Sequence, residues 1–145
     1  MTHMLQPDES RIKAIVYDFA PSNTVKILDM LNHLPFVENL GTVYSQDSME
    51  EKIINQEANL VFVNICYKMS SVKFSPDQVI ERVKTLNPHA TIVLCKSNIG
   101  PLLRQLYLHQ GFDFVVDKVK HFDKIPLLLK EILLQRESEV AVMVA

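Results

Sequence analysis

Asn59–Asn64 reads NLVFVN. A strand that faces water on one side alternates apolar and polar residues. An unbroken apolar run of this length, bounded by polar residues, is the pattern of a strand covered on both faces. Similar short runs lie on either side: Lys13–Asp18 (KAIVYD) before it, and Thr91–Cys95 (TIVLC) and Asp113–Asp117 (DFVVD) after it. Val37–Ser45 reads as a further strand.

Between the strands the period changes to that of a helix. In Thr24–Leu34, Val25, Leu28, Leu31 and Leu34 recur at helical spacing. Pro21-Ser22-Asn23 supplies a turn with Ser22 or Asn23 as cap, and Pro35 is the stop. Asp47–Gln56 is a short helix capped by Asp47 or Ser48. After a loop of about ten residues, Ser75-Pro76-Asp77 opens a helix with proline at its first position. Val79, Val83 and Leu86 form its inner stripe, and Asn87-Pro88 ends it. Pro101–Gln110 is a helix closed by Gly111, which suits a left-handed C-terminal position. Phe122–Arg136 is the last helix. Five strand–helix units imply an α/β protein: a parallel sheet, doubly wound by right-handed crossovers, in one domain. Residues 1–11 read as a flexible arm, 12–137 as the domain and 138–145 as an apolar tail. In this architecture ligands gather beyond the C-terminal ends of the strands. That singles out Asp18, Phe19, Asn64, Cys95 and Lys118.

Composition narrows the class. The 145 residues, 48% hydrophobic and 22% charged, suffice for one core without disulfide staples. Lys+Arg 15 against Asp+Glu 17 leaves a net charge of −2, which gains little from a phosphate backbone, so nucleic acid is not an expected partner. Two cysteines make no secreted disulfide scaffold. No apolar run exceeds six residues, far short of a bilayer span, and the polar start has no signal-peptide core. The expectation is a cytoplasmic domain without a membrane partner.

The strand ends, taken in order, carry a resemblance. IVYDF (Ile15–Phe19), LVFVNIC (Leu60–Cys66), TIVLCKS (Thr91–Ser97) and GFDFVVDK (Gly111–Lys118) resemble the bacterial response-regulator receiver domain, the CheY-like type, across about Lys13 to Arg136. The resemblance implies a flavodoxin-like (βα)5 fold with strand order 2-1-3-4-5. It also implies a site in which an aspartate at the third strand end accepts phosphate from a histidine kinase, beside a Mg²⁺-binding acidic pair. A hydroxyl at the fourth strand end and a lysine at the fifth contact the phosphoryl oxygens.

Carried over position by position, the match is partial. Asp18 falls on the first acidic position and Phe19 on the second, where a ring cannot ligate metal. Asn64 falls on the phosphoacceptor, Cys95 on the hydroxyl and Lys118 on the lysine. Val115 occupies the aromatic switch position and Val119 that of the usual proline. The loop after the third strand lacks the usual Met-Pro and Gly. A carboxamide is not a nucleophile toward phosphorus at neutral pH, and one remaining carboxylate holds Mg²⁺ poorly. The expected protein is therefore a stand-alone, degenerate receiver (a pseudo-receiver). It has no catalytic residue, no metal site and no cofactor, Mg²⁺ binding being weak or absent. It is a signalling protein, not an enzyme, that acts in or beside a phosphorelay by protein–protein contact. The bland reading of the same residues is that Lys118 bonds the Asn64 side-chain oxygen or reaches Asp18, while Phe19 packs into the emptied metal position.

Three alternatives stand beside this. One is a receiver phosphorylated at an atypical residue. Another is a thiol-based redox sensor using Cys66 and Cys95 on one rim, with Cys95 acidified by Lys118; against it, free cysteines are more often small buried hydrophobes. The third is a separate chain that supplies DNA binding. The five histidines show no metal-ligand spacing, and no phosphate loop or nucleophile elbow occurs.

The last helix is more apolar than its burial requires. At about 100° per residue, Ile125, Leu128, Leu129, Ile132 and Leu133 form an inward arc, while Leu127 and Leu134 point away from it. The preceding helix adds Tyr107 and Leu108 beyond an inner set of Leu102, Leu103 and Leu106. The expectation is a partner surface, for a histidine kinase, another signalling protein or a second copy, on the face of the fourth helix, fifth strand and fifth helix, carried by Tyr107, Leu108, Leu127 and Leu134. Alternatively, the apolar tail folds back to cover Leu127 and Leu134.

Overall fold

The computed structural model describes residues 11–19, 24–65 and 75–144, the last six as backbone only. The turn at Pro21-Ser22-Asn23, the loop containing Cys66 and nearly all of the N-terminal arm lie outside the described residues. The element order is β1 (Ile12–Asp18), α1 (Thr24–Asn32), β2 (Val37–Val43), α2 (Gln46–Gln56), β3 (Leu60–Asn64), α3 (Pro76–Leu86), β4 (Thr91–Lys96), α4 (Pro101–Gln110), β5 (Phe114–Asp117) and α5 (Ile125–Val144). A short 3₁₀ turn, Phe122–Lys124, leads into α5. The five strands form one sheet in the order β2-β1-β3-β4-β5, every neighbouring pair parallel. This is the flavodoxin-like α/β arrangement expected from the sequence.

The pleat divides the central strands between two cores. Val61 and Val63 of β3 face the side covered by α2, α3 and α4, with Met49, Ile53, Val79 and Val83 packed there. Leu60 and Phe62 face the side covered by α1 and α5, against Ile27, Leu31, Ile125 and Leu129. All five residues of β3 are buried, which is why the strand shows no alternation in sequence. Each fully buried side chain of this size contributes about 1.5–3 kcal/mol of transfer free energy.

Helix ends follow local chemistry. Ser75 caps α3, its hydroxyl accepting from the Gln78 amide at 3.4 Å. Ser45, rather than Asp47 or Ser48, caps α2: its Oγ accepts from the Ser48 amide at 3.1 Å, and Asp47 lies in the first turn. Gly111 ends α4 at φ 122°, where its amide bonds Leu108 O; a β-carbon there would meet the Ile80 Cγ2 atom at 3.2 Å. So this glycine serves both a positive φ and a close approach of α4 to α3.

Two helices differ from expectation in ways that bear on function. The last helix does not stop at Arg136 but continues through Val144, so residues 138–144 extend the helix instead of folding back as a separate tail. In α4 the phase differs. Leu103, Tyr107 and Leu108 are half-buried against the core, while Leu102 and Leu106, assigned inward from sequence, are 85% and 52% exposed.

Candidate functional site

The parallel register fixes the rim. Asp18 pairs with Asn64, and Asn64 with Cys95, so the ends of β1, β3 and β4 stand in one row. Backbone bonds prolong that row beyond the strands: the Phe19 amide donates to Asn64 O (2.8 Å), the Ile65 amide to Cys95 O (3.0 Å) and the Lys118 amide to Lys96 O (3.0 Å). Asp18, Asn64, Cys95 and Lys118 are all buried there.

A chain of polar contacts runs along this row. The Lys118 ammonium donates to Asn64 Oδ1 (2.8 Å) and to the Ile65 carbonyl (2.9 Å). The Asn64 amide nitrogen donates to Asp18 Oδ1 (3.1 Å). The Thr24 hydroxyl donates to Asp18 Oδ2. An ammonium has only hydrogens to offer and a carboxylate only lone pairs, so the amide orientation is dictated: oxygen toward Lys118, NH₂ toward Asp18. A buried cation and a buried anion are thereby joined through a neutral dipole, which satisfies both without direct contact. With the Lys118 side chain 5% exposed and Asn64 wholly enclosed, water can substitute for little of this network.

The donor set does not suit the metal that the resemblance implies. Mg²⁺ requires near-octahedral oxygen ligation, usually through carboxylates and waters. Among the described residues of this network Asp18 is the one carboxylate, and its two oxygens accept from Thr24 and Asn64. The neighbouring position is Phe19, whose ring stacks on Tyr17 at a centroid distance of 4.5 Å and packs against the core on the α2–α4 side. Burial, reinforced by the charge of Glu50, holds the Tyr17 phenol above its ordinary pKa. Among the described residues, no group of three or more His, Cys, Asp or Glu side chains is placed to hold a metal ion.

Cys95 departs from the reactive thiol expected of a redox sensor. It is completely enclosed, and burial pushes its pKa up to about 12, against the smaller opposing pull of Lys118. Desolvation of a thiolate outweighs a nearby ammonium that is already engaged by two oxygens. Val115, at the switch position, is buried among the residues of the α2–α4 core.

Two positions escaped the sequence reading. Thr24 belongs to the network as the first residue of α1; the signal was a hydroxyl where the helix begins, across from the rim. Asp117 is buried, and it accepts from the amides of Ile99 (3.3 Å), Val119 and Lys120 (3.1 Å each). Burial raises its pKa, but the three amides and the charge of Lys120 outweigh that, leaving it below the usual carboxylate value. Asp117 therefore fastens the turn that presents Lys118 and ties it to the loop after β4. Its signal was a lone acid at the end of an apolar strand.

Solved structures share this architecture. The signal receiver domain of a protein described as a Luxo repressor from Vibrio parahaemolyticus superposes with a TM-score of 0.72 at 11% identity, over 91% of this chain and 97% of that one. A CheY-like response-regulator receiver domain from Methanospirillum hungatei gives 0.69 at 16% identity, over 89% and 98%. A protein described as pilus assembly-related, from Burkholderia pseudomallei, gives 0.68 at 12% identity, over 88% and 92%. No protein-family model and no curated protein matches the sequence. At these identities the likeness is one of fold, and the fold is that of a receiver domain.

Proposed function

We propose that this chain is a receiver-fold signalling protein that carries no phosphoryl group and acts by protein–protein contact. The observation that carries the reading is the closed relay Lys118–Asn64–Asp18–Thr24. In phosphoryl transfer the protein supplies a nucleophile, a metal and a fixed cation for the charge on the transferred group. Here the nucleophile position is an amide, the metal position is reduced to one occupied carboxylate, and the cation is spent on the amide. What the network does instead is hold the rim in one conformation.

The contact surface in this reading is the face of α4, β5 and α5. Leu127 and Leu134 on α5 are 65% and 55% exposed, whereas Tyr107 and Leu108, the α4 residues expected on this face, pack half-buried against the core. Large apolar side chains exposed together on one helix face favour a protein partner. Candidates by class are a histidine kinase, another signalling protein or a second copy. Nucleic acid and membrane are not part of the proposal: the chain is slightly acidic, and no described helix is long and apolar enough to cross a bilayer.

Incubation with acetyl phosphate and Mg²⁺, followed by intact-mass analysis, tests the chemical half. The expected result is an unchanged mass. A single added phosphoryl group, at whatever residue, would overturn it and restore the atypical-phosphorylation alternative.

A further inference from the structure

On the side of the molecule where α4, β5 and the start of α5 meet, a recess of about 250 Å³ opens to solvent. Its floor is apolar, formed by Val116, Ile125 and Leu128, and its rim carries Arg104, His121 and Lys124. Among the described residues no acidic side chain lines it; Asp123, next in sequence to Lys124, is not part of the lining. The Arg104 guanidinium is held in place by donating to the Val115 carbonyl, which leaves its remaining N–H groups oriented rather than mobile. Among the described residues, no side chain pairs with the His121 ring or the Lys124 ammonium. On a chain with net charge −2, Arg104 and Lys124 bring two positive charges to the edge of an apolar pit, with the His121 ring beside them.

We infer that the recess is a docking subsite for an acidic side chain of a partner polypeptide, its carboxylate among Arg104, His121 and Lys124 and its aliphatic stem on Val116, Ile125 and Leu128. Size and charge carry the assignment. The volume falls below the range of about 300–1,000 Å³ usual for cofactor and drug-sized ligands, which favours a single inserted side chain over a small-molecule ligand. A bare inorganic anion would leave the apolar floor uncovered, whereas an aspartate or glutamate flanked by apolar residues covers both parts. The inference rests on the proposal that this face binds protein, and it names the chemistry of the partner.

The test is a titration of isotope-labelled full-length protein, followed by NMR, with the capped peptide Leu-Asp-Leu-Glu-Leu and its neutral counterpart Leu-Asn-Leu-Gln-Leu. Shifts should cluster at Arg104, Val115, Val116 and residues 121–128. The neutral peptide should bind about tenfold or more weakly, as should the acidic peptide to a Lys124→Glu variant, a change at an exposed position that leaves the fold intact. Equal binding of both peptides, shifts elsewhere or no shifts would overturn the inference. So would concentration-dependent shifts at these residues without peptide, which would make a second copy the occupant. Phosphorylation by acetyl phosphate would sink the broader functional reading and leave the peptide result standing; failure of the peptides would do the reverse.

Discussion

The carboxyl rim of the sheet and the α4–β5–α5 face are neighbours, yet they are built on opposite principles. At the rim, Asp18, Asn64 and Lys118 are buried and bonded to one another. On the face, Leu127 and Leu134 stand in solvent, and a recess bordered by Arg104, His121 and Lys124 lies open. β5 and the turn after it connect the two, since Lys118 reaches the rim while His121 and Lys124 border the recess. The difference teaches where binding energy is still available. Polar groups that saturate one another stabilise the fold and offer nothing to a ligand, whereas exposed apolar area and oriented cations lower the free energy only when a partner arrives.

The largest expected effect breaks the rim. Lys118→Ala removes the cation, leaves two acceptors without it and takes away the positive charge that offsets buried Asp18. Chemical denaturation should register a loss of about 3 kcal/mol. A loss under half of that would mean that water already serves the rim and that the two regions differ less than their burial implies.

Asp117→Ala should cost about 1–3 kcal/mol, since three amides lose their acceptor. The wild type carries a further signature in its pH dependence. A carboxylate whose folded-state pKa lies below its unfolded value adds stability that is present above the unfolded pKa and is lost as pH falls through the folded one. Asp117→Asn should flatten that acid-side decline, and an unchanged acid limb would assign the decline to other carboxylates.

Asn64→Asp sharpens the comparison at a single atom. It exchanges an N–H facing Asp18 for an oxygen, so two carboxylates meet where donor met acceptor. One of them titrates upward, and stability should fall by about 1–2 kcal/mol at neutral pH and recover on acidification, the sign of a group with a raised folded pKa. Stability equal to wild type at neutral pH would show that Lys118 absorbs the added charge.

The smallest effects on the fold belong to the open face. Leu127→Asp and Leu134→Asp should each change stability by no more than about 0.5 kcal/mol, because both side chains are exposed, while abolishing capture of a partner or self-association measured by light scattering. A large loss of stability would mean that these leucines are covered within the monomer. Cys95 should likewise stay silent toward a thiol reagent in the native protein and react only on unfolding; rapid native labelling would revive the redox reading.

The fold was legible because burial on both faces leaves unbroken apolar runs at β1, β3 and β4, and because prolines and capping residues punctuate the helices between them. The rim was legible through the resemblance: its strand order sets Asp18, Asn64 and Cys95 side by side, and its phosphoryl site, rather than register, brings Lys118 across β4 to the Asn64 oxygen. Other features were not. In α4, the set Leu103 and Tyr107 and the set Leu102 and Leu106 both repeat at i, i+4, so periodicity alone could not choose between them; packing against Ile80 and the β5 side did. The VAVMV segment reads as a loose apolar tail because its β-branched residues are weak helix formers, yet it continues a helix already nucleated. Of the two readings of Cys95, the small buried hydrophobe holds and the acidified thiol does not: proximity to a lysine shows in sequence and topology, whereas complete desolvation shows only in packing.

The central claim is that the rim is closed to phosphoryl chemistry by its own hydrogen bonds. Beryllofluoride, a mimic of a bound phosphoryl group, tests it most directly when added with Mg²⁺ to isotope-labelled protein. The account predicts that the backbone resonances of Asp18, Asn64, Cys95 and Lys118 do not move. A saturable, Mg²⁺-dependent shift at those four positions would contradict it.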